Sequence, residues 1–262
     1  MTVCRVWFRE QGMADPAYLD RDGERLAYVR RAGAGPGLVW LGGFHSDMDG
    51  TKAQAIDAWA ARAGRACLRF DYFGHGRSSG EFERGTISRW KADALAILDN
   101  LCEGPQILVG SSMGGWIAML VAKARPERVA GMLLIAPAAD FTEILMWEKM
   151  PPEVRRALMQ DGVWRRESAL VEESYPISRT LIEDGRRNLI LGEEHTLPFP
   201  VRILQGMADP DVPWLHAVKL AQAIDGDVSL TLVKSGDHRL STPSDLKRLE
   251  RTLESLIEDV GR

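Results

Sequence analysis

Several features that would assign this chain of 262 residues to a broad class are scarce or missing. Cysteine occurs only at Cys4, Cys67 and Cys102, with no C-x-x-C and no clustered His/Cys pair. That excludes a disulfide framework, offers no zinc-ligand spacing and fits a reducing compartment. Positive charge is not in excess: 33 Lys+Arg stand against 37 Asp+Glu, a net charge of −4. The basic pairs Arg30-Arg31, Arg155-Arg156, Arg165-Arg166 and Arg186-Arg187 are each diluted by nearby acids, so no nucleic-acid partner is expected. The longest apolar run, Val129 to Ala139, falls far short of the ~20 residues that span a bilayer, and no transmembrane segment is expected. Met1 to Gly12 lack the apolar stretch of a secretory signal. Met13, ahead of a stronger domain start at Tyr18, is a second candidate start, and the expected location is cytoplasmic. No Walker A sequence occurs, and Gly74-His75-Gly76 does not complete G-x-G-x-x-G. Neither a cofactor nor a metal is called for.

What is present is an ordinary globular complement, 45% apolar and 27% charged, enough for a sizeable core. Short runs rich in Val, Ile and Leu alternate with segments of helical period, the pattern of βα units building a mainly parallel sheet. Strands are expected at Glu24–Arg30, Gly37–Leu41, Ala66–Phe70, Gln106–Val109, Gly131–Ala136, Val201–Gln205 and Val228–Val233. The first alternates and carries charges, as an antiparallel edge strand does, and the other six read as buried. Helices are expected at Lys52–Ala63, Ile87–Leu101, Met113–Ala124, Trp214–Ala223 and Pro243–Asp259. From Pro137 to Pro200 the rhythm breaks into three helical pieces, Phe141–Met150, Pro152–Gln160 and Tyr175–Leu191, with no convincing strand. Such an excursion reads as a small helical cap above the carboxyl ends of the strands. The expected division is a core over 18–136 and 201–260, with the cap over 137–200.

Gly110-Ser111-Ser112-Met113-Gly114 matches G-x-S-x-G between an apolar run and a helix, the strand–turn–helix setting of a nucleophile elbow. Ser112 is therefore the candidate nucleophile, and Ser111 fills an x position. A serine hydroxyl needs a base, and the base needs an orienting acid. Among five histidines, His238 lies just after the last strand, at the sheet edge that Ser112 shares. Asp209, in the stiff loop Gly206–Pro213, is the candidate acid, with Asp211 and Asp140 as rivals. An acyl-transfer site also needs oxyanion donors. The N–H of Met113 is one, and the N–H of Phe44 in Gly42-Gly43-Phe44-His45 is the other. His45 precedes the nucleophile in the chain and is read as shaping the pocket. Trp116, Trp147, Trp164 and Trp214 are candidate pocket walls. The turn Asp71–Ser79 is read as structural.

The strand order, that turn, the elbow and the order Ser112, Asp209, His238 resemble the α/β-hydrolase superfamily. The strings Met48–Ala53, Leu68–Tyr72, Gly104–Ser112, Gly162–Trp164, Val212–Trp214 and Asp237–Arg239 are similar to one branch of it. That branch is the mitochondrial palmitoyl-protein thioesterase / mycophenolic acid acyl-glucuronide esterase branch. The resemblance implies an α/β-hydrolase fold, with the cap inserted after the sixth strand of that fold. It also implies hydrolysis of acyl thioesters and activated carboxylic esters through a serine acyl-enzyme. It carries Ser112, Asp209 and His238 over as nucleophile, acid and base. No long N-terminal extension of a mitochondrial form is expected, and the compartment is therefore not expected to carry over. A short-chain carboxylesterase and a C–C bond hydrolase use the same triad. A non-catalytic receptor on the same fold has no need of all three residues.

Overall fold

A computed structural model describes residues 15–166 and 175–261. Cys4, the leading segment and the alternative start Met13 lie outside the described residues. The strands are β1 Ala17–Arg21, β2 Glu24–Arg31, β3 Ala34–Leu41, β4 Arg65–Phe70, β5 Gln106–Ser111, β6 Val129–Ile135, β7 Val163–Arg166, β8 Tyr175–Ser178, β9 His195–Thr196, β10 Val201–Gly206, β11 Ile224–Asp225 and β12 Val228–Val233. The α-helices are α1 Thr51–Arg62, α2 Ile87–Leu101, α3 Met113–Ala124, α4 Pro152–Asp161, α5 Arg179–Arg186, α6 Trp214–Gln222 and α7 Pro243–Val260.

Eight strands form one sheet in the order β1-β2-β4-β3-β5-β6-β10-β12. The pairs β1/β2 and β2/β4 are antiparallel, and from β4 to β12 every pair is parallel. The two-residue period of a strand sends successive side chains to opposite faces. Val39, Leu41, Leu68, Phe70, Leu108, Leu134 and Ile203 pack on one face with α2, α3, α6 and the 137–200 segment. Leu38, Trp40, Ile107, Val109, Leu133, Ile135 and Leu204 pack on the other with α1 and α7. The near-continuous apolar runs of β3, β5, β6 and β10 follow from burial on both faces.

The helices obey their sequence signals. Thr86 caps α2 by accepting the Arg89 N–H, and buried Ile87, Trp90, Ala94, Ile97 and Leu98 keep helical spacing. Thr242 and Asp245 form a capping box at the start of α7, with Pro243 in the first turn.

Three expectations are corrected. The antiparallel edge is β1, so Glu24–Arg31 lies one place inside the sheet. The Asp22-Gly23 turn, with φ of 53° and 81°, folds the hairpin that adds this strand. At the opposite edge, β12 is only partly covered, because β10 is its single neighbour in the sheet and Leu232 remains exposed. The 137–200 segment also contains strands. An antiparallel pair, β7 with β8, replaces the start of the third expected helix, with Tyr175–Ser178 paired to Val163–Arg166. Ser178 then caps α5 by accepting the Leu181 N–H.

The 137–200 segment is fixed by polar bonds. Asp140, at φ 55° just beyond β6, accepts the N–H groups of Ile190 and Leu191, both at 2.9 Å. The Trp116 indole of α3 donates to the Asn188 carbonyl at 3.0 Å, and the Ser88 N–H of α2 donates to Asp184 at 2.7 Å. The last two bonds join core helices to the return leg of the segment, and the Asp140 bonds tie the two ends of the segment together.

Candidate active site

At the end of β5 the chain reverses direction within one residue, Ser112, whose φ of 54° and ψ of −118° are strained for a side chain. Such a conformation costs on the order of 1–3 kcal/mol and persists only where its surroundings over-determine it. Here the Ser112 N–H donates to Ile135 O at 2.9 Å, and Ser112 O accepts from Gly115 at 2.9 Å and Ala138 at 3.0 Å. Glycine is obligatory beside it. A Cβ on Gly114 would lie 2.0 Å from Leu41 O, and one on Gly110 would lie 2.4 Å from Gly114 O. Gly114→Ala is expected to cost roughly 3 kcal/mol, measured by urea unfolding, because backbone rather than a flexible side chain stands in the way.

The turn points the Ser112 side chain over the N-terminus of α3 and towards the loop after β12. His238 Nε2 stands 3.1 Å from Ser112 Oγ, and His238 Nδ1 stands 2.8 Å from Asp209 Oδ2. With a carboxylate at Nδ1, that nitrogen carries the proton and Nε2 is left as the acceptor facing the hydroxyl. The Asp209 carboxylate is fully buried. Its Oδ1 accepts the N–H groups of Asp211 and Val212, both at 2.8 Å, and its Oδ2 also accepts from Gln205 Nε2 at 3.1 Å. Burial alone would push this carboxyl up. The His238 hydrogen bond and charge, with the two amides, outweigh burial and hold it below its ordinary value. Close packing of Gly206 against Gly236 O brings the Asp209 loop and the His238 loop together.

Of the rival acids, Asp140 is turned to the 190–191 backbone and Asp211 contributes its N–H to Asp209. The next acid along, Asp237, accepts the Leu240 N–H at 2.9 Å.

The loop after β3 passes close to the elbow, and a Cβ on Gly43 would lie 3.3 Å from Ser112 Cβ. Neither the Phe44 nor the Met113 N–H has a protein acceptor among the described residues. The Phe44 ring stands in edge-on contact with Phe82, Trp90, Phe141 and Tyr175, at centroid distances from 4.9 to 5.9 Å. His45, at φ 59°, packs against Phe82 and Tyr175. Tyr175 and Phe141 come from the 137–200 segment, so this cluster joins that segment to the loop.

The tryptophans part company. Trp116 is fully buried beside Phe141. Trp147 lies against the Arg155 and Arg186 guanidiniums, at 5.4 and 4.7 Å. Trp164 is half-buried in the β7/β8 hairpin, and Trp214 is half-buried at the start of α6.

Two residues of the site carry no sequence signal of their own. Lys52, in the first turn of α1, donates to Arg239 O, next in the chain to His238. Burial pushes its ammonium down to about 8, against the pull of Asp237, Asp209 and Asp245. His75, in the turn after β4, contacts the β3 loop through the His45 N–H. Long-range partners such as these leave no periodic trace in the sequence.

Asp209, Asp211 and His238 also bring ligand-type atoms within 4.8 Å of one another. The Asp209 oxygens are already committed to four donors. Among the described residues no helix is long and apolar enough to cross a membrane.

The eight-stranded sheet and the elbow at the end of its central strand define the α/β-hydrolase class, and the protein is a hydrolase. The chain belongs to the hydrolase family described as serine aminopeptidase, S33, whose pattern matches residues 38–178. It is similar to the mitochondrial palmitoyl-protein thioesterase ABHD10 of Homo sapiens, with 38% identity over 248 residues covering 94% of this chain and 81% of that protein. The Pongo abelii protein of the same name is 39% identical over the same shares. Among solved structures, mouse alpha/beta hydrolase domain-containing protein 10 superposes with a TM-score of 0.87 at 37% identity, covering 94% of this chain and 99% of that one. A protein from Agrobacterium vitis S4 superposes with a TM-score of 0.88 at 44% identity, covering 92% of this chain and 97% of that one.

The comparisons bear out the resemblance to that branch and overturn the cytoplasmic expectation, because these relatives are named as mitochondrial proteins. Cysteine scarcity separates reducing from oxidising compartments and does not separate one reducing compartment from another.

Proposed function

We propose that this hydrolase cleaves acyl thioesters and activated carboxylic esters through a covalent acyl-enzyme on Ser112. The observation that carries the reading is the hydrogen-bonded line Ser112 Oγ, His238 Nε2, His238 Nδ1, Asp209 Oδ2, at 3.1 and 2.8 Å. Ser112 attacks the acyl carbonyl as its proton passes to His238 Nε2. The buried Asp209 carboxylate holds the imidazole tautomer and stabilises the imidazolium that forms. The N–H groups of Met113 and Phe44 receive the oxyanion, and removing one such donor typically costs ~3 kcal/mol of transition-state stabilisation. His238 returns the proton to the leaving thiolate or alkoxide. A water molecule, activated by the same imidazole, then releases the acid.

The thioester preference is supported by the palmitoyl-protein thioesterase names of the relatives. An acyl chain is accommodated, in this reading, against the aromatic cluster around Phe44 and beneath the 137–200 segment, which acts as a cap over a core of 18–136 and 201–260. Ester and thioester series running from acetyl to palmitoyl test this. Rates are expected to rise towards medium or long chains on both leaving groups, and a sharp preference for acetyl would replace the reading with a short-chain esterase.

A further inference from the structure

We propose that His75 is a positioning residue for the oxyanion loop: its Nε2 accepts the N–H of His45 and so fixes the peptide that follows Phe44. The inference rests on the serine-hydrolase reading above, in which the Phe44 N–H receives the oxyanion. The two histidines belong to different loops, after β4 and after β3, and the bond between them is 3.2 Å. His75 Nδ1 donates to Phe73 O at 3.1 Å, which leaves Nε2 as the acceptor.

His75 is 4% exposed. Burial first, and the neighbouring His45 in the same direction, push the imidazole down to about 4 against the Phe73 carbonyl, so it stays neutral and able to accept. Tyr72, Phe82 and Trp90 hold it edge-on at 5.7, 5.0 and 5.2 Å.

His45 needs such a partner. Its φ of 59° lies in the left-handed region, where a residue other than glycine is held only by its surroundings. Releasing the His45 N–H frees the Phe44–His45 peptide to rotate, and with it the residue that carries the oxyanion donor. The Asp71–Ser79 turn, with its Gly74 and Gly76 at positive φ, thereby acts on the site through the backbone of a neighbouring loop.

The test compares His75→Phe, which keeps an aromatic ring and removes the acceptor, with His75→Gln, whose amide oxygen reaches the Nε2 position. In the full-length chain, H75F is expected to lower kcat on a p-nitrophenyl ester about 10- to 100-fold with KM within about twofold. Affinity for a trifluoromethyl ketone, which mimics the tetrahedral species, is expected to fall in parallel, and H75Q is expected to recover most of the loss. If H75F is insoluble, His75→Met takes its place. Folded H75F or H75M with kcat within threefold of wild type overturns the proposal, as does folded H75Q with kcat more than tenfold below it. Ser112→Ala runs alongside: activity surviving there defeats the underlying mechanism, whereas an inactive S112A beside an unaffected H75F defeats only the role of His75.

Discussion

Replacing Ser112 with alanine is expected to lower kcat by about 10⁴-fold or more on every ester and thioester the enzyme accepts. Nucleophile and base act as a unit, so removing either loses nearly the whole covalent route and leaves what the oxyanion donors and binding supply. The fold should tolerate the change. The hydroxyl makes one hydrogen bond, to a half-buried His238 that water can serve instead, so stability is expected to stay within ~1 kcal/mol. The strained backbone is held by main-chain bonds to Ile135, Gly115 and Ala138, which the substitution leaves in place. Steady-state rates and urea unfolding measured together check both statements.

The second large effect is expected from Asp209→Asn, an isosteric change that removes charge. Asp209 Oδ1 faces two backbone N–H donors at 2.8 Å, from Asp211 and Val212. An asparagine must therefore place its carbonyl oxygen there, which directs its NH₂ group at His238 Nδ1. Two donors cannot face each other, so the imidazole moves its proton to Nε2 and can no longer accept one from Ser112. A loss in kcat of about 10⁴-fold follows from the wrong tautomer alone. The test is kcat for D209N beside Asp211→Asn, whose carboxylate makes neither of the Asp209 bonds to His238 and Gln205. D211N is expected to remain within about tenfold of wild type, and the reverse ranking would make Asp211 the acid.

Much of this site was legible from the chain because each part has a local signature. Gly110, Gly114 and Gly115 around Ser112 mark a turn that admits no side chain, and Met113–Ala124 reads as a helix by period, as the structure has it. Asp209 and His238 sit directly after apolar runs that are β10 and β12, so the topology of a parallel sheet delivers both to one edge. The contacts that join loops were not legible. Nothing in the spacing of His45 and His75 announces their bond, and nothing in Lys52 announces its contact with the carbonyl of Arg239.

The β7/β8 pair is not legible for a related reason: each strand has four residues, too few to show a two-residue period.

The proposed hydrolysis passes through a covalent intermediate at Ser112, and trapping it is the direct measurement. The enzyme is mixed with an excess of a slowly deacylating long-chain p-nitrophenyl ester, quenched in acid within the burst, digested and examined by mass spectrometry. One acyl group per chain is expected on the peptide containing Ser112, absent from S112A and chased by a thiol or by time. An acyl group on another residue, or turnover without any adduct and undiminished in S112A, would contradict it.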